Sequence, residues 1–310
     1  MDHMQKTRHP QGILVSCQVP WDEQERFLED AFRREVRRII DAGFRQMYVF
    51  GTAGEGHAVD TARFRAIVDV FAEETLPRPG VLPQVGAIGL STATVLERLQ
   101  YAYQAGFRTF QISLPSWGLL NDREMMRFFH DVCGALPDAS FLHYNVSRSL
   151  RLLTPADYRR LIAEIPNLVA TKNTRTGIVE TGQLLQVAGE LQHFLSEAIF
   201  PTGCLHGECS ILASSGPLMP KRCHQLFALG RDRRYAELFE FQRDYLNVFE
   251  AILTPMRGHV RMDGAYDKVL SRLGGAEMPL RLLSPYEGFS EEIYEQCLDA
   301  YRRNQAWIEC

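Results

Sequence analysis

Short apolar and β-branched runs recur along this chain at 13–17, 46–50, 81–88, 109–114, 140–144, 168–172, 193–196 and 209–213. Between them, apolar residues return every three to four positions. The short runs have strand length, and the longer segments have the period of an amphipathic helix. Helices are expected over 27–42, 61–74, 92–105, 122–133, 155–163 and 179–188. Thr154 before Pro155 is an N-cap followed by a first-turn proline, and Asn121 opens the fourth helix. Ala42-Gly43 and Ala105-Gly106 are helix exits, each followed by Phe-Arg and a new strand. The stretches DAGFRQMYVF and QAGFRTFQIS therefore form a weak repeat of one αβ unit.

Eight strands alternating with helices predict an α/β chain folded as a (β/α)8 TIM barrel. A doubly wound sheet is the alternative, but its GxGxxG fingerprint is absent. After the eighth strand only helical patterns follow, at 221–229, 234–253, 262–273 and 290–303. These assign 1–230 to the barrel and 231–310 to a C-terminal helical extension. No Pro/Ser-rich linker separates the two, so the extension is expected to pack on the barrel.

Composition narrows the classes of function. A net charge of −4 over 310 residues provides no field for nucleic acid or anionic membrane. No apolar run approaches the roughly 18 residues of a membrane span, and the polar segment 1–9 does not resemble a signal peptide. The seven cysteines are unevenly spaced with no CxxC pair, and the histidines form no HxxxH or HExxH pair. A disulfide scaffold and a metal site are both disfavoured, and a reducing, cytoplasmic location is expected.

Reactive groups in such a barrel collect where strands end. The second strand ends in Gly51-Thr52-Ala53-Gly54-Glu55-Gly56, the fifth in His143-Tyr144-Asn145 and the sixth at Lys172, while Gly203-Cys204-Leu205-His206-Gly207 leads into the eighth. Of 34 basic side chains only Lys6, Lys172, Lys221 and Lys268 are lysine. Arginine does not lose its proton at any useful pH, whereas a lysine in a dry site can become a neutral amine nucleophile.

With these motifs the chain resembles the dihydrodipicolinate synthase and N-acetylneuraminate lyase superfamily of Schiff-base-forming barrels. Gly51-Thr52-Ala53-Gly54-Glu55 is similar to its GTTGE loop, Tyr144-Asn145 to its YN motif, and Lys172, 28 residues after Tyr144, to its Schiff-base lysine. Ser16-Cys17-Gln18-Val19-Pro20 and the tail at Arg281–Pro285 extend the resemblance over nearly the whole chain. It implies that Lys172 forms an iminium with a 2-oxo acid, that Tyr144 shuttles protons and that Thr52 orients the phenol. Turn amides at Thr52 and Ala53 would hold the substrate carboxylate. Glu55, Trp117, Asn145, Arg148, Gly207 and Ser210 would complete the substrate pocket. No cofactor or metal is implied, and a homotetramer is.

Four departures bear on substrate. Ala53 replaces a second hydroxyl. Trp117, in Leu114-Pro115-Ser116-Trp117, stands where synthases carry a tyrosine pair, and could provide an apolar wall instead. Ser147-Arg148 arrives one residue early, leaving Arg148 to meet a distal carboxylate. Lys172-Asn173-Thr174 lacks the acidic residue that often follows the lysine. These favour a lyase cleaving or condensing a pyruvate unit with an aldehyde. A dehydratase of a 2-oxo-deoxy sugar acid, a 4-hydroxy-tetrahydrodipicolinate synthase and a non-catalytic 2-oxo acid sensor are the alternatives.

Overall fold

A computed structural model describes residues 8–174 and 177–310. Lys6 and most of the polar N-terminal segment discussed above thus lie outside the described residues. The strands are β1 (Ile13–Ser16), β2 (Gln46–Val49), β3 (Leu82–Ala87), β4 (Thr109–Ile112), β5 (Ser140–Asn145), β6 (Leu168–Asn173), β7 (Gln192–Ser196) and β8 (Ser210–Ala213). All pair in parallel with their sequence neighbours, and β8 closes on β1, giving the expected barrel.

Helices α1 (Glu29–Asp41), α2 (Thr61–Thr75), α3 (Thr92–Gln104), α4 (Asp122–Gly134), α5 (Pro155–Glu164), α6 (Ile178–Val187), α7 (Phe200–His206) and α8 (Pro220–Arg231) follow the strands. Thr154 and Asn121 cap α5 and α4 as expected, each within a reciprocal capping box with Asp157 or Glu124. After α1 and α3 the chain turns at Gly43 and Gly106, whose φ values of 92° and 109° favour glycine. Helix α7 belongs to the expected alternation but could not be given bounds from the sequence, because Pro201 and Gly203 disguise a short helix as a loop. A Cβ at Gly203 would meet Leu195 Cδ1 at 2.5 Å, so that glycine is there for close packing on β7.

Apolar residues fill two regions. One lies between strands and helices. A smaller cluster of Leu14, Tyr48, Leu142, Val169, Ala170, Phe194 and Leu212 occupies the barrel interior. Alternation along β5 shows the sorting: Leu142 and Tyr144 point inward, while His143 faces outward and bonds Tyr158 at 2.8 Å. Beyond α8 come α9 (Tyr235–Leu253), α10 (Asp263–Leu273) and α11 (Glu291–Glu309). Helix α9 packs on α7, α8 and α11. The division expected at 230 falls inside the last turn of α8. Among the described residues no helix is long and apolar enough to cross a membrane.

Candidate active site

Lys172 is the next-to-last residue of β6, and its Cα pairs with that of Tyr144 on β5. Its side chain points into the barrel mouth and is only 2 % exposed. The amine lies 3.9 Å from the centroid of the Tyr144 ring and 4.2 Å from that of Tyr48, and donates to the Tyr48 hydroxyl at 2.8 Å. Among the described residues no carboxylate pairs with it directly. Burial therefore dominates, and lowers its pKa to about 7 against the opposing pull of Asp263 and Asp267. A large fraction of the amine is neutral at physiological pH, as a nucleophile requires.

Lys172, Tyr48 and Tyr144 line a cavity of about 420 Å³ that also receives Ala53, Arg148, Thr174, Ser196, Glu197, Ser214, Asp263 and Asp267. Burial and the nearby charge of Asp263 push the Tyr144 phenol up, while hydrogen bonds with Thr52 and Thr174 work the other way. Tyr144 thus holds its proton at neutral pH and can donate it. Thr52 is buried beside it in the turn after β2. Glu55, in the same turn, has a φ of 56°. The expected grouping of Lys172, Tyr144 and Thr52 is present, with Ala53 on the cavity wall.

Several groups were not anticipated. Tyr48 lies inside β2 in a run that signalled only a strand. Glu197 directly follows β7, where it accepts from the Ser215 backbone N–H at 2.9 Å and hydroxyl at 2.8 Å. Asp263 and Asp267 come from α10, which roofs the mouth. Gly264 lets that roof close: a Cβ there would stand 2.8 Å from the Ala53 carbonyl oxygen. The sequence signal was an acid pair four residues apart on one helix face.

Other expected site residues have different places. Glu55 does not line the cavity. It accepts from Trp21 Nε1 at 2.8 Å, Lys268 Nζ at 2.7 Å and the Leu283 N–H at 2.7 Å, and is spent on cross-linking. Trp117 is 85 % exposed on the loop after β4 and makes no wall of the cavity. Asn145 fastens the 146–153 loop through both the N–H and the carbonyl of Leu153. Gly207 and Ser210 belong to the opposite end of the barrel, because Gly207 precedes β8 and Ser210 is its first residue, whereas the mouth lies at the strand's other end. There the Ser210 hydroxyl accepts from the Gly12 N–H at 2.9 Å and from Gln192 at 2.6 Å. Arg148 does line the cavity, but Asp263 takes its guanidinium through two bonds of 2.9 and 3.1 Å. Among the described residues, no three His, Cys, Asp or Glu side chains are grouped to hold a metal ion.

Fold and site together define a (β/α)8 barrel with a dry lysine beside a tyrosine at its mouth. The model of the dihydrodipicolinate synthetase family matches residues 9–296, and the chain belongs to that family. A 4-hydroxy-tetrahydrodipicolinate synthase of Thermus thermophilus is 28 % identical over 179 residues, which span 57 % of this chain and 59 % of that protein. An N-acetylneuraminate lyase of Salmonella paratyphi B is 21 % identical over 78 % of this chain and 82 % of its own. The fold is shared with a prophage protein of the dihydrodipicolinic acid synthase family from E. coli K12, solved in complex with pyruvate. Its TM-score is 0.84 at 17 % identity, covering 95 % of this chain and 98 % of that one.

Proposed function

We propose that the chain is a Schiff-base lyase of the class I aldolase type, acting on a 2-oxo acid that contains a pyruvate unit. The observation that carries this is the Lys172 amine, buried without a carboxylate partner among the described residues and 3.9 Å from the Tyr144 ring centroid. Neutral Nζ attacks the ketone carbon to give a carbinolamine, and the Tyr144 phenol protonates its departing hydroxyl. Water leaves, and an iminium and a phenolate remain. The phenolate then takes the proton of the C4 hydroxyl as the C3–C4 bond breaks, releasing an aldehyde. The bonding electrons pass into the enamine. Reversal condenses the two halves. Thr52 fixes the phenol, and the turn amides at Thr52 and Ala53 receive the C1 carboxylate. Because an iminium also allows a β-hydroxyl to leave, dehydration uses the same residues.

The partners proposed are small molecules, pyruvate or a sugar acid. A homotetramer fits the apolar side chains left bare on the mouth-side loops, Trp117 and Leu119 after β4 and Leu90 after β3. A cytoplasmic location fits seven free cysteines, six of them buried.

Borohydride reduction in the presence of pyruvate, followed by intact mass and peptide mapping, tests the reading. One reduced pyruvate adduct is expected on Lys172, and none on Lys172→Arg, whose guanidinium stays protonated. An unmodified wild-type protein at saturating pyruvate would refute the reading.

A further inference from the structure

Among the described residues, the half of the cavity that receives whatever lies beyond the pyruvate unit is acidic, and the arginine on its wall, Arg148, is already bonded. Asp267 is 7 % exposed, lines the cavity and makes no hydrogen bond or ion pair among the described residues. A buried carboxyl without a donor is a costly arrangement unless a ligand provides one. Asp263, one helical turn earlier on α10, holds Arg148 in its two-bond clamp. Glu197 faces the same space from β7.

We propose, building on the Schiff-base reading above, that Asp267 and the Asp263–Arg148 clamp make this half-site select 2-oxo acids whose distal end carries hydrogen-bond donors, and exclude those with a second carboxylate. Two charges decide the matter. Lys172 is consumed by the iminium and balanced by the C1 carboxylate, so it offers nothing to a distal anion. Arg148 is the other cation on the cavity wall among the described residues. To reach it, a distal carboxylate would have to displace Asp263, leaving two carboxylates unpaired on successive turns of α10. Like charges at that spacing repel each other. A hydroxyl instead gives Asp267 its missing donor and leaves the clamp intact. Burial, and after it Asp263, hold the Asp267 carboxyl well above the usual carboxylate range against the pull of positive charge on Lys172. The iminium preserves that charge, and a donor from the ligand is the further pull that favours an accepting carboxylate.

The test uses two 2-oxo acids of equal chain length, 5-hydroxy-2-oxopentanoate and 2-oxoglutarate, competing with pyruvate for the borohydride-trapped adduct. In the wild-type protein the hydroxyl compound should compete at least tenfold better than the dicarboxylate. In Asp267→Ala, with affinities referred to pyruvate in the same variant, that ratio should fall to within about threefold of unity. Asp267→Asn, which keeps the size but removes the charge, should weaken exclusion of 2-oxoglutarate while retaining part of the preference for the hydroxyl. Any variant that traps pyruvate is folded by that criterion. A wild-type ratio at or below one, or a wild-type ratio that persists in Asp267→Ala, overturns the assignment and leaves the Lys172 chemistry standing. Failure to trap pyruvate in the wild type overturns both.

Discussion

Two lysines among the described residues are almost entirely buried, and their surroundings give them opposite chemistry. Lys268 meets Glu55 at 2.7 Å and also donates to the Arg281 carbonyl, so a partner compensates its charge. Lys172 has two aromatic faces and one phenolic hydroxyl, none of which neutralises an ammonium. Cation–π attraction is worth about 1–2 kcal/mol even when desolvated, less than the cost of removing a charge from water. The amine therefore titrates low. Because its pKa lies at about 7, adduct formation with pyruvate should rise with pH and reach half its maximum near that value, as the neutral fraction grows. Tyr48→Phe removes the oxygen that holds Nζ, and should slow trapping by roughly fivefold, the equivalent of about 1 kcal/mol. Stopped borohydride quenches across the pH range measure both. A profile centred near the ordinary lysine value of 10.5 would mean that Lys172 is not desolvated in solution.

Helix α10 joins a structural role to a functional one. It presents Asp263 and Asp267 to the cavity, and Lys268 on the same helix is bound to Glu55 of the β2 turn. Removing one member of such a pair leaves the other charged and buried, a cost of about 3–5 kcal/mol. Lys268→Met should lower unfolding stability by about 3 kcal/mol, at the lower end because Glu55 keeps Trp21 and the Leu283 N–H as donors. Adding Glu55→Gln to it should recover part of the loss, which denaturant unfolding of the single and double variants would reveal. No loss in Lys268→Met would show that other contacts pin the helix. The element pattern was legible in the sequence because strand and helix periods differ and caps mark the helix starts. The lysine, tyrosine and threonine of the site were legible because all three sit at strand ends. Gly207 and Ser210 were misread by neglecting the same rule, since they lie at the start of β8 and so belong at the far end of the barrel. Asp263 and Asp267 stayed hidden for another reason: no local pattern tells which side of a helix outside the barrel repeat will cover the mouth.

At the scale of the whole molecule, histidine burial sets the response to acid. His193 donates Nε2–H to the Ala188 carbonyl at 2.8 Å and accepts from the Thr171 hydroxyl at Nδ1, an arrangement that only the neutral ring can make. His143 lies between Phe129 and Tyr158, and His9 packs edge-on against Phe194. Burial lowers their pKa values to about 4 for His193, about 3 for His143 and about 4 for His9, all from 6.5. Between the folded and unfolded values the unfolded chain binds more protons, so stability rises with pH and falls as pH drops from about 6.5. At about pH 5 each ring withdraws on the order of 2 kcal/mol, and the three together rival the whole stability of a typical domain. Denaturant midpoints should therefore decline between about pH 6.5 and 5, with a slope to which the three rings together contribute nearly three protons taken up on unfolding. Asp267 and Glu197 offset it in part, because their raised pKa values act with the opposite sign. His143→Asn, whose amide can keep a bond to Tyr158 without titrating, should reduce that slope by about one proton. A flat stability profile across this interval would mean that burial does not keep these rings neutral and that they protonate within the folded barrel.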